Sequence, residues 1–208
     1  MPSQTEVHRL FIAIELPDAV RLALRRMQTR LEQADREAII RWTNADGIHL
    51  TLKFLGETPA GQEAAIRRAL HEAAQGHASF ALELAGMGCF PNTRRPRVVW
   101  AGVNGALDAL SALRDAVERT VAPLGFPTDT RPFSPHLTLG RVRQGASPTG
   151  LAALGSSIDR VGEYEPVGWQ VTGLSLMRSD LRPSGAVYRQ VAHIPLAHEG
   201  GIKSRPAE

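Results

Sequence analysis

The first clear pattern along the chain is an apolar run, Leu10 to Ile14, which reads as a buried strand. Pro17 and Asp18 then open a segment in which Val20, Leu24, Met27 and Leu31 recur at intervals of four, three and four, the spacing of one helix face. A loop through Arg41 and Trp42 leads to Ile48-His49-Leu50-Thr51-Leu52-Lys53-Phe54-Leu55, where apolar and polar residues alternate as in a half-buried strand.

The same order then recurs. Val98 to Ala101 reads as a strand, and Leu107, Leu110, Leu113, Val117 and Val121 form a helical stripe that Gly125 and Pro127 stop. A loop through Arg131 leads to His136-Leu137-Thr138-Leu139-Gly140-Arg141. Leu10 to His49 spans 39 positions and Val98 to His136 spans 38. Two strand–helix–strand units, each ending in His-Leu-Thr-Leu, point to an internal duplication and a pseudo-two-fold arrangement.

The intervening stretch predicts a helix over Gly61 to Gln75 and an extended segment from Phe80 to Phe90. After the second motif come a turn-rich break at Gly145 to Pro148 and a short helix at Leu151 to Leu154. Val167 to Met177 and Ala186 to Ile194 read as two strands joined through the long loop Ser179 to Gly185. Residues 1–197 are expected to form a single bilobal domain, and 198–208 a flexible tail.

Composition narrows the class. With 208 residues and 43% hydrophobic positions the chain has material for a real core, which excludes intrinsic disorder of the body. The lone cysteine, Cys89, excludes an intrachain disulfide framework and any multi-thiolate zinc site, and fits a reducing cytoplasm. No apolar run is long enough to span a membrane, and the stretch before Glu15 lacks the core of a secretion signal. The expectation is a cytoplasmic monomer. Net charge is only +3, yet the basic residues are 22 arginines and 2 lysines. Base composition of the genome explains that bias; guanidinium also suits bidentate phosphate binding.

Candidate chemistry lies in the two motifs. Successive strand residues point to opposite faces, so His49 and Thr51 share one face and Leu50 and Leu52 the other. His136 and Thr138 repeat the arrangement. Facing each other across a pseudo-dyad, the two pairs line one groove. An imidazole with an ordinary pKa of about 6.5 takes either protonation state near neutrality, so two of them supply a general base and a general acid. The hydroxyls can donate to non-bridging phosphate oxygens as charge builds in the transition state. This is phosphodiester chemistry that needs no metal or other cofactor. A single zinc ion fits poorly, because threonine is a poor ligand and no third histidine or carboxylate sits at a suitable spacing.

With both motifs in place, the sequence resembles the two-histidine phosphoesterase superfamily, and within it the RNA 2',3'-cyclic phosphodiesterases, also called 2'-5' RNA ligases. The supporting stretches are Arg9 to Ile14, Arg41-Trp42, His49 to Gly56, Phe90-Pro91, Pro96 to Trp100, Phe133 to Arg141 and Gly185 to Tyr188. The resemblance implies an α+β fold in which two antiparallel, pseudo-symmetric sheets flank a central cleft, with helices outside. It implies metal-independent hydrolysis of an RNA 2',3'-cyclic phosphate end to a 2'-phosphate, with possible reversible joining to a 5'-hydroxyl. By carry-over, His49 is the acid that protonates the departing O3' and His136 the base that activates water, a division that pseudo-symmetry leaves open to exchange. Thr51 and Thr138 bind the phosphate, and Arg141 matches an arginine near it. Arg141 lies about 10 Å along the strand from Thr138 at ~3.3 Å per residue, so its side chain must reach back. Phe54 holds the corresponding place in the first motif and packs either against a terminal base or in the core.

Two other readings keep the site. One changes the substrate to a small nucleotide, such as an ADP-ribose cyclic phosphate or a 2'-5' oligonucleotide; the other makes the protein an RNA-end-binding module without turnover. Arg94, Arg95, Arg97 and Arg131 read either as a basic rim that steers RNA or as solvated surface. Lys53 shares a face with His49 and Thr51 under strict alternation, which would make it a phosphate contact. Trp42 and Trp100 are expected in the core, and Cys89 as a buried small residue. His8, His71, His77, His193 and His198 have no paired context and are assigned no chemistry, and Gly86 and Gly88 form no phosphate-cradling motif.

Overall fold

In the computed structural model, which describes residues 6–161, 166–182 and 185–197, the two repeats become two antiparallel sheets. The elements in chain order are β1 (Val7–Ile14), α1 (Asp18–Ala34), β2 (Ile40–Trp42), β3 (Leu50–Pro59), α2 (Glu63–Ala74), β4 (Phe80–Phe90), β5 (Val98–Gly105), α3 (Leu107–Val121), β6 (His136–Val142), α4 (Pro148–Val161), β7 (Gly168–Val171), β8 (Gly173–Arg182) and β9 (Gly185–Pro195). One sheet has the order β3-β1-β8-β9 and the other β2-β6-β5-β4-β7. Without β2 the two orders correspond strand for strand, with β3 matching β6 and β1 matching β5, as a duplication requires.

The predicted stripes are the buried ones. Val20, Leu24, Met27 and Leu31 on α1, and Leu110, Leu113, Val117 and Val121 on α3, are all fully buried, whereas Leu107 stays partly exposed at the first position of α3. They join Leu50, Leu52, Leu137 and Leu139 in one core on the sheet faces turned away from the cleft. A fully buried leucine contributes about 2 kcal/mol, so these residues fix which face each motif shows. Contacts of α1 with α4, and of α2 with α3, tie the lobes together. No helix among the described residues is long and apolar enough to cross a membrane.

Several expectations need correction. Arg41 and Trp42 lie in a short strand, β2, rather than a loop; three residues are too few to show a period, and the strand forms because it covers the free edge of β6 in the other lobe. The expected strand Val167 to Met177 is two strands in different sheets, β7 on β4 and β8 on β1, with Thr172 between them. Gly173 marks the change, since a Cβ there would lie 2.5 Å from the His193 ring and 2.7 Å from the Ile194 carbonyl. The long loop between the last two strands is mostly strand, because pairing continues to Arg182 opposite Gly185. The helix at Leu151 to Leu154 runs from Pro148 to Val161, with the proline at its first position. The expected tail, 198–208, lies outside the described residues.

The most consequential departure is a pair of β-bulges. Along β3, Thr51 faces Ala13 and Lys53 faces Ile12, so Leu52 is an extra residue; along β6, Thr138 faces Trp100 and Gly140 faces Val99, so Leu139 is the extra one. Each bulge reverses the parity of the strand beyond the fourth motif residue, in β3 as far as a second register shift at Leu55. Lys53 is therefore not a phosphate contact: it turns into the core, 6% exposed, where Nζ sits 2.5 Å from Glu118 and donates to the Pro127 carbonyl at 2.8 Å. Arg114 completes this buried network at 3.3 Å from Glu118. Phe54 and Arg141 turn instead toward the face that carries the histidines.

A buried glutamine supports the second bulge. The Leu139 carbonyl accepts from the Thr43 amide at 2.9 Å and from the side chain of Gln28 on α1 at 2.9 Å, and Gln28 also donates to the Thr43 carbonyl at 2.7 Å. Gln28→Leu removes both donations and is expected to lower stability by about 1 to 3 kcal/mol, read from the urea unfolding midpoint.

Candidate active site

His49 precedes β3 and His136 starts β6, at the mouth of a cleft between the sheets. Their orientation is set locally and in the same way in both lobes. His49 Nδ1 donates to the Gly47 carbonyl at 2.9 Å, and His136 Nδ1 donates to the Ser134 carbonyl at 2.8 Å. A carbonyl has no proton to give, so Nδ1 carries the hydrogen and Nε2 of each neutral ring is the basic nitrogen.

The rings are held by aromatic neighbours, and here the lobes differ. His49 stacks on Phe11 at 4.5 Å between centroids, and Tyr188 meets it edge-on at 4.9 Å. Phe11 and Tyr188 belong to a small apolar cluster, with Ala13 and Met177, on the cleft face of the first sheet. Burial among them pushes the His49 pKa below its ordinary value, against the opposing effects of the Gly47 hydrogen bond and the Glu15 charge. Among the described residues the aromatic neighbour of His136 is Phe90, edge-on at 5.0 Å, and Phe90 rests on Trp100. Trp100 is thus not a core residue: it lies half-buried on the cleft face, over Gly88, where any Cβ would collide with the indole.

All six residues singled out in the sequence line one cavity of about 410 Å³: His49, Thr51, Phe54, His136, Thr138 and Arg141. Phe54 is 71% exposed, which decides against a core role. Arg9, Phe11 and Tyr188 also line the cavity and were given no role from the sequence. Arg9 and Phe11 alternate on β1 and so share its cleft face, a signal that the apolar run starting at Leu10 obscured. Among the described residues no group of three or more His, Cys, Asp or Glu side chains could hold a metal ion.

The family model described as LigT-like phosphoesterase matches twice in succession, over residues 14–100 and 102–188. Each match contains one His-Leu-Thr-Leu. The chain belongs to the LigT-like phosphoesterase family. It is 33% identical to a Thermus thermophilus protein named RNA 2',3'-cyclic phosphodiesterase, over 93% of this chain and 92% of the relative. It is 32% identical to one of the same name from Methanothermobacter thermautotrophicus, over 86% and 94%. Among solved structures, one from Thermus thermophilus superposes with a TM-score of 0.73 at 31% identity, covering 92% of this chain and 99% of that one. E. coli LigT complexed with 3'-AMP gives 0.69 at 26% identity, with the same coverage.

The remaining candidates of this LigT-like chain fall outside the cleft. Arg131 forms a two-point pair with Asp129, at 3.0 and 2.6 Å, and Arg94, Arg95 and Arg97 line neither the cleft nor its neighbouring cavity. Cys89 is buried, which raises its thiol pKa. His8 is enclosed by Glu6 and Glu63, whose carboxylates raise its pKa.

The cause assigned to the His49 shift is testable. In NMR titrations its imidazole is expected to titrate below 6.5, and Phe11→Ala, which lets water reach the ring, to move the midpoint back toward 6.5. The unfolded chain binds the proton more tightly than the fold does, so the His49 contribution to stability is full above 6.5 and is lost as pH falls through the folded pKa.

Proposed function

We propose that the protein hydrolyses RNA 2',3'-cyclic phosphate ends to 2'-phosphates by paired histidine catalysis. The observation that carries this reading is the delivery of two identically oriented imidazoles, each with a hydroxyl neighbour, to one cleft from two halves of a duplicated scaffold. Relatives named RNA 2',3'-cyclic phosphodiesterase, and a neighbour that binds 3'-AMP, support the substrate class.

In this mechanism Nε2 of His136 takes a proton from water as its oxygen attacks phosphorus. The P–O3' bond breaks, and His49 gives O3' its proton. The products are a 2'-phosphomonoester and a 3'-hydroxyl, and proton exchange with solvent resets the two rings. Thr51 and Thr138 donate to the non-bridging oxygens, and Arg141 balances their charge. A 5'-hydroxyl in place of water gives a 2'-5' linkage by the same steps. Burial disfavours the protonated form of His49, while the negative charge of a bound cyclic phosphate favours it.

Incubation with an oligoribonucleotide ending in 2',3'-cyclic phosphate is expected to yield the 2'-monoester, with a bell-shaped pH dependence that belongs to the histidine pair jointly. His49→Ala and His136→Ala should each lose about 10²- to 10⁴-fold in kcat. Tight binding of the cyclic end without turnover would overturn the enzymatic reading. The roles separate with a substrate in which sulfur replaces O3', because a thiolate leaves without protonation. His49→Ala should regain most of its loss on that substrate and His136→Ala should not; the reverse result exchanges acid and base.

A further inference from the structure

The cleft continues into a second cavity of about 590 Å³, with which it shares His49, Tyr188 and Arg141. The charged side chains lining that second cavity, besides His49, are Glu15, Arg21, Arg41, Asp46 and Arg141. Three are already engaged: Glu15 accepts from Ser175 and Gln190, Asp46 pairs with Arg25, and Arg21 lies 3.4 Å from Asp18. Arg41 and Arg141 are different. They are direct partners across the β2–β6 pair, both exposed, and neither has a hydrogen-bond or ion-pair partner among the described residues.

Like charges placed directly opposite on neighbouring strands destabilise a sheet, and their Cβ atoms lie only about 4.5–5.5 Å apart. Two unpaired guanidinium groups on directly paired strand residues can hold a phosphate diester between them. Arg141 also lines the reaction cleft, so an anion held by the pair sits one step beyond the reacting phosphorus. Trp42, the next residue of β2, turns to the opposite face and packs half-buried against the core, which fixes β2 and with it Arg41.

We propose that Arg41, with Arg141 across from it, binds the phosphodiester that precedes the cyclic end, making the second cavity a subsite for the penultimate nucleotide. The inference rests on the RNA-end reading of the cleft and adds that the protein recognises a chain rather than a lone nucleotide. A nucleoside 2',3'-cyclic phosphate carries no such diester and gains nothing from Arg41.

The test compares kcat/KM for a short oligoribonucleotide ending in 2',3'-cyclic phosphate with that for the nucleoside 2',3'-cyclic phosphate of the same terminal base. Wild type should prefer the oligonucleotide, and Arg41→Gln should reduce that preference about tenfold, mainly through KM, with Arg41→Lys recovering part of it. The slope of log(kcat/KM) against log salt for the oligonucleotide should fall by about 0.7, the value for one contact to a single strand. An uncharged methylphosphonate at the last internucleotide linkage should cost wild type at least as much as Arg41→Gln does, and should cost Arg41→Gln less than it costs wild type. Arg68→Gln, exposed on α2, serves as the charge control and should leave the preference intact. Equal losses on both substrates, or no effect of the methylphosphonate, would overturn the subsite. Turnover of neither substrate by wild type would instead count against the hydrolase. In that case the affinity of wild type and Arg41→Gln for an oligonucleotide ending in a 2'-phosphate still decides the subsite, equal affinities rejecting it.

Discussion

A strand shows alternate residues to alternate faces, and the placement of the cleft residues depends on breaking that rule at Leu52 in one lobe and at Leu139 in the other. In an unbroken strand Phe54 and Arg141, five positions beyond their histidines, would point into the core. The extra residues at Leu52 and Leu139 turn both back to the cleft. The same step forces the preceding position inward, and the lobes accommodate this differently. In the first, Lys53 enters the core and is held by Glu118 on α3 of the other lobe, so the displaced residue becomes a tie between the halves. In the second, the displaced residue is Gly140, where a Cβ would lie 2.6 Å from Ile40 and 3.1 Å from the Arg41 carbonyl. Its missing side chain lets β2 dock on β6, and that docking sets Arg41 opposite Arg141.

The imidazoles follow a similar logic of shared frame and unequal surroundings. A carbonyl two residues upstream fixes the tautomer of both rings, which needs nothing beyond the local backbone. What surrounds each ring comes from different strands: β1 and β9 enclose His49, whereas β4 and β5 leave His136 one edge-on contact. Burial lowers the proton affinity of His49 in the free protein, so service as the acid requires the charge of a bound phosphate to draw the proton onto its ring.

Much of this was legible in the sequence, because it rests on periodicity and repetition. The stripes of α1 and α3 and the repeated His-Leu-Thr-Leu gave the duplication, the buried faces and the residues that meet in the cleft. The errors share one physical origin, in that long-range pairing leaves no local mark. Nothing near Lys53 announces a bulge, since the extra residue is defined only against β1. Nothing at Arg41 announces a strand, since β2 exists only against β6. The change of sheet at Thr172 is equally invisible, because β7 and β8 are both extended, with apolar residues interspersed among polar ones, and differ in their partners. Phe11 and Tyr188 were missed for the related reason that an aromatic residue in a strand reads as core until the opposite wall of a cleft is known.

The duplicated scaffold also bears on direction. A symmetric site would accept a cyclic phosphate in either of two orientations, and would cleave O2' or O3' with equal ease. Here the two motifs end differently, in an exposed phenyl ring at Phe54 and a guanidinium at Arg141, and of these two only Arg141 also lines the second cavity. An apolar surface suits a base and a cationic one suits the anionic chain, so under the proposed function a nucleotide end would enter with its base toward Phe54 and its preceding phosphate toward Arg141. That single orientation would place one particular ester oxygen beside His49. In the proposed mechanism duplication supplies the pair of imidazoles, and divergence at the fifth position beyond each histidine supplies the choice of bond.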